Sequence, residues 1–421
     1  MSLDRVVVVG CGAAGLAVCR ELRARGYDGN IIVVEQSSVP PVPKPALVSV
    51  VAGRLEPSQA SQRYHQLRTL GVQVLWGYRA VELAHHEDCV VARCAQGGQV
   101  CIEWDALVLA VGARPVLPAV FEAGRQVLHL HTRAEAVMLR ELVRRHGSLV
   151  IVGGGPIACK LGCELAPRGC RVTVISASPW LMARMLDGEA GYLAARVLTN
   201  RGVDVRLGTE LSAVQPRGNT GAILKLKTGD TLAADCVVVA KGQRPDVRWL
   251  QDSGVRLGRE GILTDLEMKT SRDRVWACGD CAEVAATGGA TGVRFGSWSA
   301  AVNQARVVAG SILGLGTSYC PHAGGNVVTL GATQFVAFGR SEQRTGIRVL
   351  ARRGPDRYAR LTLRRSRLVA AVMVGEALPV GLVRHLILRG TLLSEDELCA
   401  LAAGDLDYIV IGRHERGDCD V

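Results

Sequence analysis

Apolar residues along this chain gather in short runs of four to six, such as Val6 to Val9 and Val237 to Ala240, set between polar turns. None approaches the ~20 consecutive apolar residues of a membrane span. The runs are rich in valine and isoleucine and read as strands buried on both faces of a parallel sheet. Two of them open a repeated pattern. Val6-Val-Val-Val-Gly10-Cys-Gly12-Ala13-Ala14-Gly15 returns as Leu149-Val-Ile-Val-Gly153-Gly-Gly155-Pro156-Ile157-Ala158. Each copy runs on into a helix-like stretch, Leu16 to Arg25 and Cys159 to Arg168, and then a second strand, Asn30 to Glu35 and Arg171 to Ile175. Strand, glycine turn, helix and strand in that order make a βαβ unit.

Between the copies, Val72 to Tyr78, Cys89 to Cys94 and Val100 to Ala110 read as an antiparallel excursion that returns to the first sheet. Val203 to Leu207, Ala222 to Lys227 and Thr231 to Ala240 repeat it, so the echo covers a whole domain. From Tyr319 the pattern changes to β-like segments, Asn326 to Phe338, Gly346 to Ala351 and Tyr358 to Leu363, then helix-like Pro379 to Arg389 and Glu395 to Ala403. The expected fold class is α/β, two Rossmann-like dinucleotide-binding domains with an α+β C-terminal domain. The expected division is residues 1–115 and 244–318 for the first domain, 116–243 for the second and 319–421 for the third.

With 421 residues, 48% hydrophobic, the chain has room for two or three domains. The first strand begins within five residues of Met1, which leaves no space for a secretory leader, so a cytoplasmic protein is expected. The 14 cysteines are scattered through strand and helix patterns, and reduced thiols are expected. Cys278 and Cys281 have the spacing of a redox pair or half a zinc site, but no second pair with ligand spacing accompanies them, and no metal site is expected. A net charge of +11 suits an acidic partner as well as nucleic acid. Dispersed arginines, 4% aromatics and the lack of a nucleic-acid motif argue against nucleic acid.

The chemistry lies in the two glycine turns. Gly10 allows the tight turn, Gly12 lets backbone approach a pyrophosphate, and Gly15 permits close helix packing. The helix N-terminus offers N-H groups and a positive dipole end to phosphates. Glu35, twenty residues beyond Gly15, ends the next strand where a ribose diol would be held. The second unit keeps Gly153, Gly155 and the small Ala158, but Ser176 stands where an acid is expected. A carboxylate there would repel a 2′-phosphate, while a committed 2′-phosphate site normally has an arginine in this loop, and none precedes Arg184. NADH and NADPH both remain open.

Further motifs carry a family resemblance. Asp105-Ala-Leu-Val-Leu-Ala110-Val111-Gly112-Ala-Arg114-Pro115 and Asp235-Cys-Val-Val-Val-Ala-Lys-Gly242-Gln-Arg244-Pro245 resemble the interdomain crossings of the FAD-dependent pyridine nucleotide-disulfide oxidoreductases. The likeness is to the branch of rubredoxin and ferredoxin reductases, NADH oxidases and the flavin part of nitrite reductase. Val275-Trp-Ala-Cys-Gly279-Asp280-Cys281-Ala282 resembles the segment whose aspartate binds the ribityl chain, and Arg294-Phe-Gly-Ser297-Trp298 leads into a helix similar to the one beneath the isoalloxazine. The resemblance implies FAD on the first unit, with Gln36, Ala80 and Val81 among its contacts, and NAD(P)H on the second. It also implies a homodimer or a subunit of a larger complex.

The departures from the family narrow the activity. Its disulfide reductases and peroxidases carry a redox cysteine soon after the first ribose acid; here Pro40-Pro-Val-Pro-Lys44-Pro-Ala-Leu-Val-Ser-Val-Val-Ala-Gly53 has none. The His-Pro acid motif is also missing, since Pro321-His322 stands reversed. Lys44 takes the place of an arginine that lies along the flavin in the reductase branch. Lys160 stands where that branch has glutamate, so it either supplies a cation at the flavin edge or faces solvent or a phosphate. Pro156 replaces an aromatic gate, which implies a permanently open pocket or weakened nicotinamide binding. The resulting expectation is NAD(P)H:FAD electron transfer to an acidic iron-sulfur protein of ferredoxin or rubredoxin type. The rivals are an NAD(P)H oxidase and a flavoprotein with an assembly or regulatory role.

Overall fold

The β-branched runs assemble into two five-stranded parallel sheets in which four strands follow the same order and the fifth, at one edge, comes last in the first unit and first in the second. The computed structural model describes residues 3–84, 87–121, 127–145, 147–218, 221–285, 292–320, 325–339, 347–403 and 405. The chain divides into two units, the first made of residues 1–116, 131–140 and 243–320, the second of 117–130, 141–242 and 321–421. Pro321, His322, Gly346 and the tail beyond Asp405 lie outside the described residues.

In the first unit the sheet runs Val275–Ala277, Ala106–Leu109, Arg5–Val9, Asn30–Glu35, Val72–Trp76. The central strand, Arg5–Val9, pairs in parallel with Asn30–Glu35 on one side and Ala106–Leu109 on the other. The order reverses at this strand, and that is where such sheets bind ligands, beyond the carboxyl ends. Val6, Val7 and Val8 are fully buried, as a sheet covered on both faces requires.

The run Val100 to Ala110, expected as one strand, is two. Gln99–Glu103 belongs to a three-stranded antiparallel sheet with Tyr78–Leu83 and Cys89–Cys94, and Ala106–Leu109 to the parallel one. Asp105 makes the break: its carboxylate accepts the N-H groups of Asp4 (3.0 Å) and Arg5 (2.7 Å), pinning the chain where it changes sheets. Val72 to Tyr78 is likewise divided, Val72–Trp76 from Tyr78–Leu83, at Gly77 with φ +81°. In the small sheet Cys89 and Cys101 form a disulfide, which corrects the expectation of reduced thiols throughout.

The second unit repeats the sheet as Asp204–Leu207, Arg171–Ser176, Ser148–Val152, Cys236–Val239, Val127–Leu128. Here too a single expected run, Thr231 to Ala240, divides at an aspartate, Asp235, whose carboxylate accepts from Ser148 Oγ at 2.5 Å. The same unit includes a five-stranded antiparallel sheet, ordered Gly325–Leu330, Thr333–Gly339, Arg367–Gly375, Tyr358–Arg364, Ile347–Arg353. Its central strand, Arg367–Gly375, was not among the expected elements. Helices Val380–Arg389 and Glu395–Ala403 place Val383, Leu386, Leu398 and Leu401 on Leu361, Leu363 and Met373.

This antiparallel sheet grips the helix Gly188–Asn200. Asp187 caps that helix by accepting from Ala190 N at 3.1 Å, and its other oxygen takes the Tyr358 hydroxyl at 2.7 Å. Arg353 pairs with Glu189, and Arg196 with Asp356. Among the described residues no helix is long and apolar enough to cross a membrane, and no cluster of His, Cys, Asp and Glu could hold a metal ion.

Candidate dinucleotide sites

The first glycine turn is fixed by backbone contacts. Gly10 has φ +100°, and a β-carbon on it would stand 2.4 Å from the Ala110 carbonyl oxygen; one on Gly15 would stand 2.0 Å from that of Gly10. Only glycine tolerates both demands. Gly12 differs, because a β-carbon there would meet nothing within 4 Å. Gly12 precedes the helix Ala13–Ala24 as an extended residue without a side-chain cap, so the first N-H groups, beside Ala13 and Ala14, open onto that space. Gly112, φ +70°, faces open space in the same way after Ala110 and Val111.

Glu35 closes the turn. Its carboxylate accepts from Cys11 N at 2.7 Å and Ser37 N at 2.8 Å, with Gln36 between. Burial raises its pKa, and the hydrogen bonds from Ser37, Cys11 and Gln36 partly offset this. Gly279, φ +82°, packs so closely that a β-carbon would lie 3.0 Å from Ala14 Cβ, and its N-H donates to buried Gln304 Oε1 at 2.8 Å. The next residue, Asp280, receives Lys44 Nζ at 3.1 Å and Gln243 Nε2 at 2.9 Å on one oxygen. The fold thus joins Lys44 to Asp280 across 236 positions. Ser297 caps the helix Trp298–Ile312, and the Arg63 guanidinium lies 5.2 Å over the Trp298 ring. A groove of about 860 Å³, lined in part by Pro43, Pro45, Arg63, His65 and Trp298, adjoins this segment.

Other expected residues sit further out. Ala80 is buried and Val81 half-buried at a bulge between Tyr78–Leu83 and Cys89–Cys94. Arg114 is exposed and pairs with Asp246 at 3.0 Å. The cysteines around the turn are buried, and burial pushes the thiols up, Cys19 to about 12 and Cys281 to about 11. Such thiols stay protonated and unreactive.

The second turn repeats the geometry. Gly153, φ +133°, would place a β-carbon 2.3 Å from the Ala240 carbonyl oxygen, and Gly155 faces open space. Pro156 opens the helix Pro156–Leu165 at its first position, where no N-H partner is required. Pro156 and Ile157 are exposed, and Ala158 is buried. Ser176 is buried, with Oγ accepting from Ser178 N at 3.2 Å. Gly242, φ +100°, lies beside Arg184 Nη1. Lys160 projects half-buried from the second glycine helix; burial lowers its pKa, and Glu164 one turn on opposes the shift.

Sequence reasoning missed Gln243, the second partner of Asp280, although it sits inside a quoted motif. It also missed the Arg63 stack on Trp298 and the ion pair of Lys241 with Glu210 (3.2 Å). Each is a contact between distant positions, and Lys241 alone carried a visible signal, a cation where the first unit has Val111.

Comparison with known proteins agrees with this geometry. The profile of the pyridine nucleotide-disulphide oxidoreductase family matches residues 4–305. A rubredoxin-NAD(+) reductase of Acinetobacter baylyi is 30% identical, over 67% of this chain and 73% of its own. The ferredoxin-NAD(+) reductase component of an anthranilate 1,2-dioxygenase system from Burkholderia cepacia is 28% identical over 96% of this chain and 99% of its own. Among solved structures, a covalent putidaredoxin reductase-putidaredoxin complex superposes with a TM-score of 0.85 at 24% identity, covering 99% of both chains.

Proposed function

The chain belongs to the pyridine nucleotide-disulphide oxidoreductase family and is an FAD-dependent NAD(P)H oxidoreductase; on that premise we propose that it delivers electrons from NAD(P)H to a ferredoxin- or rubredoxin-type iron-sulfur protein, without a thiol relay. The observation that carries this reading is the segment from Pro40 to Gly53. It has no cysteine, and it brings Lys44 to Asp280 where the disulfide reductases would present redox thiols. FAD supplies the chemistry of the exchange, because its ring system takes two electrons together and releases them singly.

The chain's own residues bind and orient the two dinucleotides. The open space before Gly12 and Gly112 supports a pyrophosphate there, with the N-H groups of the first helical turn, which has no side-chain cap, as its donors. Glu35 accepts the ribose hydroxyls of the adenosine half, and Gln36, Ala80, Val81, Ala110, Val111 and Arg114 border it. Asp280, one oxygen of which is held by Lys44 and Gln243, offers the other to the ribityl hydroxyls. Gly279, Ser297 and Trp298 complete that wall. In the second unit Gly153, Gly155, Pro156, Ile157, Ala158, Ser176 and Gly242 receive NAD(P)H. Lys44 and Lys160 are the cations assigned to the electron-accepting edge of the ring, Lys160 on sequence grounds alone.

The net charge of +11 favours an acidic partner, and the groove carrying Arg63 and His65 is the face we assign to it. An anaerobic titration with NADH and with NADPH tests the reading. The oxidised-flavin absorbance is expected to bleach promptly with at least one of them. The bleached enzyme then reduces an acidic iron-sulfur acceptor at a rate that falls with salt. No bleaching by either donor, in protein whose flavin dithionite reduces, would overturn it.

A further inference from the structure

The two glycine turns are flanked by side chains of opposite charge. In the first unit the neighbouring strand ends in Glu35, and Val111 lies against Gly10, its Cα 3.2 Å from where a β-carbon on that glycine would stand. In the second unit those places belong to Ser176 and Lys241. The Lys241 backbone nitrogen lies 3.2 Å from the corresponding point on Gly153, and Ser176 Oγ 2.5 Å from that on Gly154. A carboxylate has been exchanged for a hydroxyl, and an apolar side chain for an ammonium. Lysine occupies only six positions in the chain.

The ammonium is aimed toward the ribose end of the turn. Lys241 Nζ lies 3.2 Å from one oxygen of Glu210, and Lys227 Nζ 2.7 Å from the other. Glu210 follows Thr209, whose N-H donates to the Ser176 carbonyl at 3.1 Å, and Gly208 N-H donates to the Ser178 carbonyl at 3.1 Å. The Lys241-Glu210 pair therefore lies next to the turn from Ser176 to Ser178, where the first unit has its acid.

Resting on the assignment of a nicotinamide dinucleotide to this unit, we infer that Lys241 is a specificity residue that selects the coenzyme bearing a 2′-phosphate. The phosphate meets no carboxylate at Ser176, finds the Ser176 hydroxyl nearby, and draws Lys241 from Glu210. Lysine binds phosphate as a compact point charge without the planar fork of arginine. The displacement costs little, because the Lys241-Glu210 pair is about a third exposed on each side and Lys227 keeps Glu210 neutralised.

Equilibrium binding of two fragments, 2′,5′-ADP and 5′-AMP, to the full-length flavoprotein tests this without requiring hydride transfer. The wild type is expected to bind 2′,5′-ADP at least about tenfold more tightly, the worth of one charge-assisted phosphate contact. Lys241→Val, which installs the residue of the first unit, removes most of that preference and leaves 5′-AMP within about twofold. Glu210→Gln, which frees the lysine, strengthens 2′,5′-ADP. Equal binding of the two fragments, or equal weakening of both by Lys241→Val, overturns the inference while leaving flavin bleaching by NADH intact. Failure of both fragments to bind the wild type removes the nicotinamide assignment of the unit and the inference with it.

Discussion

The two parallel sheets share the order of four strands and the same glycine turn, yet only the first turn closes on a carboxylate. Gly10 and Gly153 stand 2.4 and 2.3 Å from a carbonyl oxygen of the neighbouring loop when given a β-carbon, at φ +100° and +133°. Backbone sterics fix these positions whatever is bound. Glu35 and Ser176 end equivalent strands, but the first accepts backbone N-H groups, among them those of Cys11 and Ser37, on a carboxylate, while the second accepts that of Ser178 on a hydroxyl. Side chains at the strand ends answer to the ligand, so they diverge where the glycines do not.

The sharpest way to separate the two kinds of position is within one turn. Gly10→Ala forces a side chain into a left-handed conformation against the Ala110 carbonyl and is expected to destabilise the first unit by on the order of 3 kcal/mol. Gly12→Ala has open space before it, so its thermal stability without flavin should change by less than about 0.5 kcal/mol. The cradle is filled all the same, and the purified variant should lose FAD. Calorimetry of flavin-free protein together with the flavin-to-protein absorbance ratio separates the outcomes. Equal destabilisation by the two alanines would mean that Gly12 also serves the fold.

Glu35→Gln addresses the acid that the second unit lacks. The variant is expected to bind FAD some tenfold or more weakly, since hydrogen bonds to a charged group are worth about 1.5–3 kcal/mol. Without flavin the sign reverses. Burial raises the Glu35 pKa above its unfolded value of about 4.3, so its stabilising contribution is present below that value and is lost as pH rises through the folded pKa. Flavin-free Glu35→Gln should therefore gain on the wild type as pH rises from 4.3 upward. A difference in unfolding temperature that stays flat with pH would show that Glu35 imposes no such penalty.

The sequence made the repeated units legible because glycine spacing and β-branched runs are local signals, and Asn30–Glu35 and Cys89–Cys94 fall where the apolar pattern puts them. It did not show that Val100 to Ala110 serves two sheets, since an apolar run looks the same on either side of Asp105. Nor did it show Lys44 on Asp280 or Cys89 on Cys101, contacts made by the closure of the chain. Lys241 was visible but read as part of a crossing motif. Its departure from Val111 stands in the two crossing motifs, but its pairing with Glu210 beside the Ser176 turn does not.

The smallest expected effect concerns what holds the second unit's coenzyme loop. That loop runs from Ser176 to Asp187; Met182 N-H ties it to the Gly154 carbonyl at 2.7 Å, and the Tyr358 hydroxyl to Asp187 ties it to the antiparallel sheet. Tyr358→Phe keeps the buried ring and deletes only the hydroxyl. Asp187 retains its cap on Ala190 and the Arg360 guanidinium at 3.5 Å, so the carboxylate is not stranded and the loss falls at the low end for a charged acceptor, about 1.5 kcal/mol. Asp187→Ala removes cap and strap together and should cost about 1 kcal/mol more. Because the strap joins elements of the second unit alone, Tyr358→Phe should lower the unfolding transition that leaves flavin bound and leave flavin release unshifted. A variant that releases flavin earlier by the same margin would show that the two units unfold as one, and their separate electrostatics would then have to be compared within a single cooperative fold.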